Sequence, residues 1–269
     1  MDLRKVKLVV SDMDGTLLNA KGEVSPLFFE LFKKLQKQNI LFCAASGRQY
    51  NSIVHKLAPI KEDIFIIAEN GAIAKKGDEI LLLKSINSKK VTAIIPVLRK
   101  IKDANIVLCS QDTAYIESKD KTFINLFQEY YRNFKIVDDL VEVAKTTAIL
   151  KIAVYHFSSS EDFIYPAIKQ LTADYLIKIS GQNWLDLSDN KANKGAALKA
   201  VQELLNISKE ETMVFGDYHN DIEMLQEAAF SFSMKNAHKD ITAIANYATK
   251  SNNNLGVEHI LEQLIAAKK

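Results

Sequence analysis

The chain has 269 residues, 48% of them hydrophobic, enough to bury one large core, or one core and a smaller companion domain. Its 35 Lys+Arg nearly cancel 33 Asp+Glu, so no strong field points to nucleic acid or a membrane surface as a partner. Only two cysteines occur, Cys43 and Cys109, both inside apolar segments, which argues for reduced, buried thiols and against a disulfide framework.

The N-terminal apolar run meets Ser11, Asp12 and Asp14 before it reaches the length of a signal or membrane segment, so a cytoplasmic protein is expected. That run, KLVVSD, is the first predicted strand. A helix from about Pro26 to Gln38, the strand ILFCAAS, a helix near Gln49 to Leu57 and the strand IFIIAEN follow. Strands so uniformly apolar belong in a parallel sheet covered by helices on both faces, with right-handed crossovers aligning their C-terminal ends along one edge. The polar residues gather at those ends: Asp12 and Asp14 after the first strand, Ser46, Gly47 and Arg48 after the second, Glu69, Asn70 and Gly71 after the third. In open α/β sheets that crevice is where ligands bind.

Asp12 and Asp14 would share a face if the strand continued through them, and Gly15 lets the backbone turn sharply at once. Two crowded carboxylates call for a cation, and a hard divalent ion with oxygen ligands, Mg2+, is the usual solution. A simple DG turn closing a buried strand is the competing reading.

From about Lys84 the pattern changes. A helix is predicted over Ser88 to Ala104, kinked or shortened by Pro96, and NIVLCSQDTAYIES reads as a hairpin turning at SQDT. A helix from about Asp120 to Phe134, the strand ILKIAVYHF, a helix from about Glu161 to Ala173 and the strands YLIKIS and NWLDLS complete an α+β block. The expected division is a core of residues 1–83 and 188–269, doubly wound around a mostly parallel sheet, with residues 84–187 inserted as a second domain. Within that insertion Tyr115, Tyr155, His156, Asn183 and Trp184 could contact a substrate, although each residue type more often packs.

The first rhythm then resumes with a helix from about Lys194 to Leu205, the strand TMVFGD and a helix beginning near Asn220. The GDYHND turn puts Asp217 at a strand end and Asp221 at a helix start. Capping explains Asn220 or Asp221 about as well as ligand binding does, but it explains Asp217 poorly. Lys194 lies near a helix N-terminus, where backbone amides already favour an anion; most lysines are solvated surface charges, and only its context singles it out.

DMDGTLLN at 12–19, ASGR at 45–48, Lys194 in NKG and GDYHND at 216–221 together resemble the four ordered motifs of the haloacid-dehalogenase-like hydrolases. The block between the second and third motifs is similar to the α/β cap of their Cof-type branch, class IIB. The resemblance covers essentially the whole chain. It implies a Rossmann-like core and a phosphatase acting on small phosphate esters, such as sugar or cofactor phosphates.

In that scheme Asp12 is the nucleophile that forms an aspartyl-phosphate and Asp14 the general acid/base. Mg2+ is held by Asp12, the Asp14 backbone carbonyl and Asp217. Ser46 and Lys194 grip the phosphoryl oxygens. Asp221 supports the metal's water shell or orients Lys194, and Asn220 contacts phosphate or substrate. Gly47, Arg48 and Asn70 fit positions near the phosphate, though Arg48 could equally pair with a neighbouring carboxylate.

Asp14 favours a phosphatase, with a phosphomutase as the alternative and a phosphoacceptor or silent binding protein further behind. His219 is not demanded by the pattern and reads as part of the turn. The family commonly has Met-Gly-Asn-Ala after the fourth motif, whereas here Met234 is followed by Lys235, Asn236 and Ala237, which puts a side chain beside a loop near the site. Which metabolite is bound, and the oligomeric state, are not readable from the sequence.

Overall fold

The computed structural model describes residues 2–268. Among the described residues fourteen strands form two sheets. They are β1 (Leu8–Asp12), β2 (Leu41–Ala45), β3 (Phe65–Ala68), β4 (Ile73–Lys76), β5 (Glu79–Leu83), β6 (Ala104–Cys109), β7 (Ala114–Ile116), β8 (Phe134–Ile136), β9 (Lys151–His156), β10 (Leu176–Ile179), β11 (Trp184–Ser188), β12 (Thr212–Gly216), β13 (Phe230–Ser233) and β14 (Tyr247–Ala248).

The larger sheet runs β14-β13-β12-β1-β2-β3-β4-β5. Its strands from β14 to β3 are all parallel, and β3, β4 and β5 continue antiparallel. Alternation along β1 sends Val9 to one core and Leu8 and Val10 to the other. Both faces of the sheet are therefore covered, which is why its central strands read as unbroken apolar runs. The helix Pro26–Lys37 shows the local logic: Ser25 caps it by accepting from the Leu27 amide at 3.1 Å, Pro26 occupies its first turn, and Phe28, Leu31, Phe32 and Leu35 form the buried stripe.

The smaller sheet runs β10-β11-β9-β6-β7-β8 and is antiparallel except between β7 and β8. Helices cover one face, where Ile106, Leu108, Ile152 and Val154 are buried. The other face carries Lys151, Ala153 and Tyr155 of β9 beside Ser188, Asp186 and Trp184 of β11, and it looks onto the C-terminal edge of the larger sheet.

Several expected elements differ. The helix expected to reach Ala104 ends at Leu98, two residues past Pro96, where the missing amide and the ring make continuation costly. The expected helix to Phe134 stops at Phe127, and Phe134–Ile136 is a strand. The helix expected over Glu161 to Ala173 is broken into Ser160–Phe163 and Tyr165–Ile168, with Pro166 opening the second piece. The edge hairpin β4–β5, the helix Leu140–Thr146 and the C-terminal helix Gly256–Ala267 were not foreseen. Among the described residues no helix is long and apolar enough to cross a membrane. Cys43 and Cys109 are free and buried.

Candidate active site

The first strand ends at Asp12, and the backbone turns away before Asp14. The strand does not continue, so the two carboxylates do not share a strand face: Asp14 lies outside the strand, Gly15 adopts φ +77°, and Leu18 N–H donates to Met13 O at 2.8 Å to close the loop. Gly15 is needed on two counts. Its backbone is left-handed, and a Cβ there would stand 2.2 Å from Asp217 Oδ2. The loop therefore presses against the acidic end of β12.

Asp12, Asp217 and Asp221 have carboxylate oxygens within 4.8 Å of one another. Fully buried Lys194 reaches between two of them, with Nζ 2.5 Å from Asp12 Oδ1 and 2.7 Å from Asp221 Oδ1. Asp221 Oδ2 accepts from the amides of Asp217 and Tyr218 at 3.0 and 3.1 Å. Its carboxylate is thus fully engaged, and of the two roles expected for it, orienting Lys194 matches the geometry. Asp217 Oδ1 accepts from Thr16 Oγ1 at 3.0 Å.

Burial, the Asp221 charge and, less strongly, the other carboxylates push the Asp12 carboxyl well above the usual range, with Lys194 opposing. Asp217 is pushed up to about 7, chiefly by burial and then by Asp221. Burial alone would lower Lys194, but Asp12 and Asp221 outweigh it and hold the ammonium above its ordinary value. Among the described residues, Asp12, Asp14, Asp217 and Asp221 form ion pairs only with Lys194 and Arg48. The two uncompensated negative charges and the all-oxygen donor set fit a hard divalent ion.

The loop after β2 supplies Ser46, Gly47 and Arg48, all lining one cavity with Asp12 and Asp14. Ser46 Oγ accepts from the Arg48 amide at 3.1 Å, an ordinary local turn contact. Arg48, only 4% exposed, grips Asp14 with two parallel bonds of 2.7 Å, Nε to Oδ2 and Nη2 to Oδ1. Its third arm donates to Glu129 O, in the segment between β7 and β8 of the smaller sheet, at 2.7 Å. Of its two expected roles, Arg48 takes the ion-pair one here.

After β3, Glu69 and Asn70 both hold left-handed backbones, at φ +50° and +54°. Gly71 follows at φ +93°, and a Cβ on it would stand 2.2 Å from Asn193 O, so glycine lets the helix bearing Lys194 dock here. Asn70 Nδ2 donates to Asp186 at 2.5 Å, and its Oδ1 accepts from Asn220 at 3.0 Å. Asn70 therefore ties the turn after β3 to β11 of the smaller sheet, and Asn220 braces it from the turn after β12.

Lys151, buried in the smaller sheet, reaches Glu69 at 2.8 Å, Asp186 at 3.5 Å and Gly47 O at 2.6 Å. The Glu69 contact is close but poorly aligned for a hydrogen bond, so it acts as a charge pair. Burial drives the Glu69 and Asp186 carboxyls upward against the pull of Lys151.

The cavity over these residues has a volume of about 400 Å3. Its floor is the edge of the larger sheet; its roof includes Tyr130, Tyr155, Gln182, Asn183 and Trp184. Of the five candidate contacts in the insertion, Tyr155, Asn183 and Trp184 reach it. Tyr115 packs against the core of the smaller sheet, and His156 stacks on Phe163 at 4.4 Å with Nδ1 accepting from the Ser158 amide. Lys235 is exposed and does not line the cavity; its φ is not left-handed, so glycine is not required there. Lys151 and Asp186 were missed by sequence reasoning. The available signal was a charged residue inside an apolar strand, in ILKIAVYHF and NWLDLS.

A family model described as haloacid dehalogenase-like hydrolase matches residues 9–261. The chain is 27% identical over 263 residues to a 5-amino-6-(5-phospho-D-ribitylamino)uracil phosphatase of Escherichia coli K12, covering 97% of this chain and 96% of that one. Its fold is similar to the crystal structure of SMU.1108c from Streptococcus mutans UA159, with a TM-score of 0.89 at 27% identity over 97% of this chain and 99% of that one. It is also similar in fold to the class IIB sugar phosphatase BT4131, with a TM-score of 0.84 at 21% identity over 96% of this chain and 98% of that one. With the matched region spanning nearly its whole length and the fold in agreement, the chain belongs to the haloacid dehalogenase-like hydrolases and is an enzyme of their phosphatase chemistry.

Proposed function

We propose that the protein is a Mg2+-dependent phosphatase that removes phosphate from small phosphometabolites, sugar or cofactor phosphates, through an aspartyl-phosphate on Asp12. The observation that carries this reading is the asymmetry of the Asp12 carboxylate. Oδ1 is held by Lys194, whereas Oδ2 has no hydrogen-bond partner among the described residues and belongs to a side chain that lines the cavity. A carboxylate held by one oxygen presents the other as a nucleophile.

In the first step Asp12 Oδ2 forms a bond to phosphorus as the ester P–O bond breaks, and Asp14 gives a proton to the departing alcohol. In the second, water attacks phosphorus, Asp14 takes the water's proton, and the Asp12 carboxylate leaves. Asp14 must release Arg48 to do this, because in the present arrangement both its oxygens are engaged. Ser46 and Lys194 position the phosphoryl oxygens and offset their charge. Asp12, the Asp14 carbonyl and Asp217 would hold Mg2+, which supplies Lewis-acid stabilisation of phosphoryl charge.

Residues 84–187 work in this scheme as the cap that selects the leaving group, since the core reads only phosphate. The domains meet through polar contacts, Arg48 to Glu129, Lys151 to Gly47 and Gln49 to Asn133, the kind of interface that opens and closes. The relative from Escherichia coli is named for a substrate in which phosphate sits on a sugar alcohol joined to a heterocycle. A cavity with an acidic, cation-ready floor and an aromatic roof suits a small ester of that general kind.

The test is Mg2+-dependent phosphate release from an aryl phosphate and from a broad panel of metabolites. Release abolished by Asp12→Asn and by Asp14→Asn is expected, together with a hydroxylamine-labile phosphoenzyme in the wild type. No release from any ester would overturn the reading. Inversion at phosphorus with a chiral phosphate ester, in place of the retention that two displacements give, would replace the covalent route with direct water attack.

A further inference from the structure

His219, in the turn after β12, and His238, in the turn after β13, lie with ring centroids 4.3 Å apart. Asp240 faces both: its Oδ2 is 3.1 Å from His219 Nε2 and 3.5 Å from His238 Nδ1. Each of the three residues offers one ligand atom within 4.8 Å of the other two. We propose that His219, His238 and Asp240 form a second metal site, distinct from the acidic centre, that takes a borderline divalent ion of the Zn2+ class.

The spacing carries the argument. Two donors each about 2.1 Å from a tetrahedral ion stand about 3.4 Å apart, close to both distances to Asp240. Two imidazoles and one carboxylate are also a donor set that a borderline ion prefers and a hard one such as Mg2+ does not. Helix capping does not account for the cluster. His238 Nδ1 accepts from the Asp240 amide at 3.3 Å and so caps the short helix Lys239–Ile244, but that cap does not involve the His219 ring, which meets the Asp240 side chain instead. That capping bond is long, and an ion displaces it at little cost.

The surroundings tolerate added positive charge. The nearby ammonium of Lys178, 3.5 Å from His219 O, is paired with Glu223 at 2.8 Å. Both imidazoles are a third exposed, at 33%, so an ion can enter, and the remaining coordination positions are open to water. Tyr218 packs edge-on against both rings, which limits their rotation.

The site sits one peptide from the catalytic carboxylates. The His238 amide already donates to Asp217 O at 2.9 Å, joining the two turns. An ion bridging the rings adds a second tie between the turns that carry Asp217, Asp221 and Asn236.

The experiment is titration of the full chain with Co2+ and with Zn2+ while excess Mg2+ occupies the acidic centre. The readouts are the visible ligand-field spectrum, calorimetry and the thermal midpoint. One saturable equivalent is expected, with a rise in the midpoint. His219→Ala, His238→Ala and Asp240→Asn should each weaken it by at least about tenfold, whereas Asp217→Asn should retain it. Asp240→Asn changes an exposed side chain without changing its size, so it remains informative if a histidine variant fails to fold. A wild type with no saturable equivalent, or an equivalent that survives the substitutions at His219 and His238 and disappears in Asp217→Asn, would overturn the assignment.

Discussion

Replacing Asp217 by Asn should stabilise the metal-free protein near neutral pH while destroying its function. Asp217 is largely buried beside Asp221, and its carboxyl is raised from 3.8 to about 7 by burial first and the neighbouring charge second. Between those values the native state holds a proton that the unfolded chain has released. Stability from this group therefore falls as pH rises through that window and stays low above about 7. At about 1.36 kcal/mol per pH unit the full penalty is at most about 4 kcal/mol. Asn keeps an oxygen for Thr16 Oγ1, which now donates to Asp217 at 3.0 Å, and removes the charge.

Urea unfolding in a chelator at about pH 8 should then give Asp217→Asn roughly 1–4 kcal/mol more stability than the wild type. Near pH 5, where the wild-type carboxyl is protonated, the difference should shrink to about 0.5 kcal/mol or less. Mg2+ should raise the wild-type midpoint and leave the variant unmoved, because the ion supplies the charge balance that Asn makes unnecessary. An Asp217→Asn protein less stable than the wild type at the higher pH in chelator would refute the reasoning.

Lys194→Met should abolish turnover and cost about 3–5 kcal/mol in urea unfolding, since it strands the buried carboxylates of Asp12 and Asp221. Lys151→Met should cost a similar ~3–5 kcal/mol, with Glu69→Gln recovering part of it; a double-mutant cycle with no coupling would disprove the charge pair. Gly71→Ala should cost about 1–3 kcal/mol and lower kcat, because its Cβ would push on the Asn193 carbonyl and shift Lys194; circular dichroism melts and steady-state kinetics check both effects.

The catalytic sheet was legible wherever strands were buried on both faces, because LVVSD, LFCAA and TMVFG leave no polar alternative to a central position. Its antiparallel edge escaped notice: Glu79–Leu83 is largely exposed and lacks that signature, and only Gly77 at φ +55° marked the turn. In the insertion, Phe134–Ile136 and Leu140–Thr146 were too short to show a period, and Pro166 broke a pattern that otherwise read as one helix. The site divided in the same way. Asp12, Asp217, Asp221 and Lys194 stand at the ends of their own strands or at helix starts, so their positions followed from local pattern. Lys151 and Asp186 enter from the smaller sheet, and nothing local to their strands says what they meet.

Sequence by itself determined which carboxylates and cations stand at the C-terminal edge of the sheet, because strand ends and caps are set by residues a few positions away. Tertiary structure alone decided who pairs with whom. Arg48 holds Asp14 rather than a phosphate, Lys194 divides itself between Asp12 and Asp221, and Asn70 bridges Asp186 to Asn220. These choices join residues as many as 182 positions apart, as for Lys194 and Asp12. Ion pairing depends on distance and desolvation at the site, and neither exists until the sheet and the cap have closed around it.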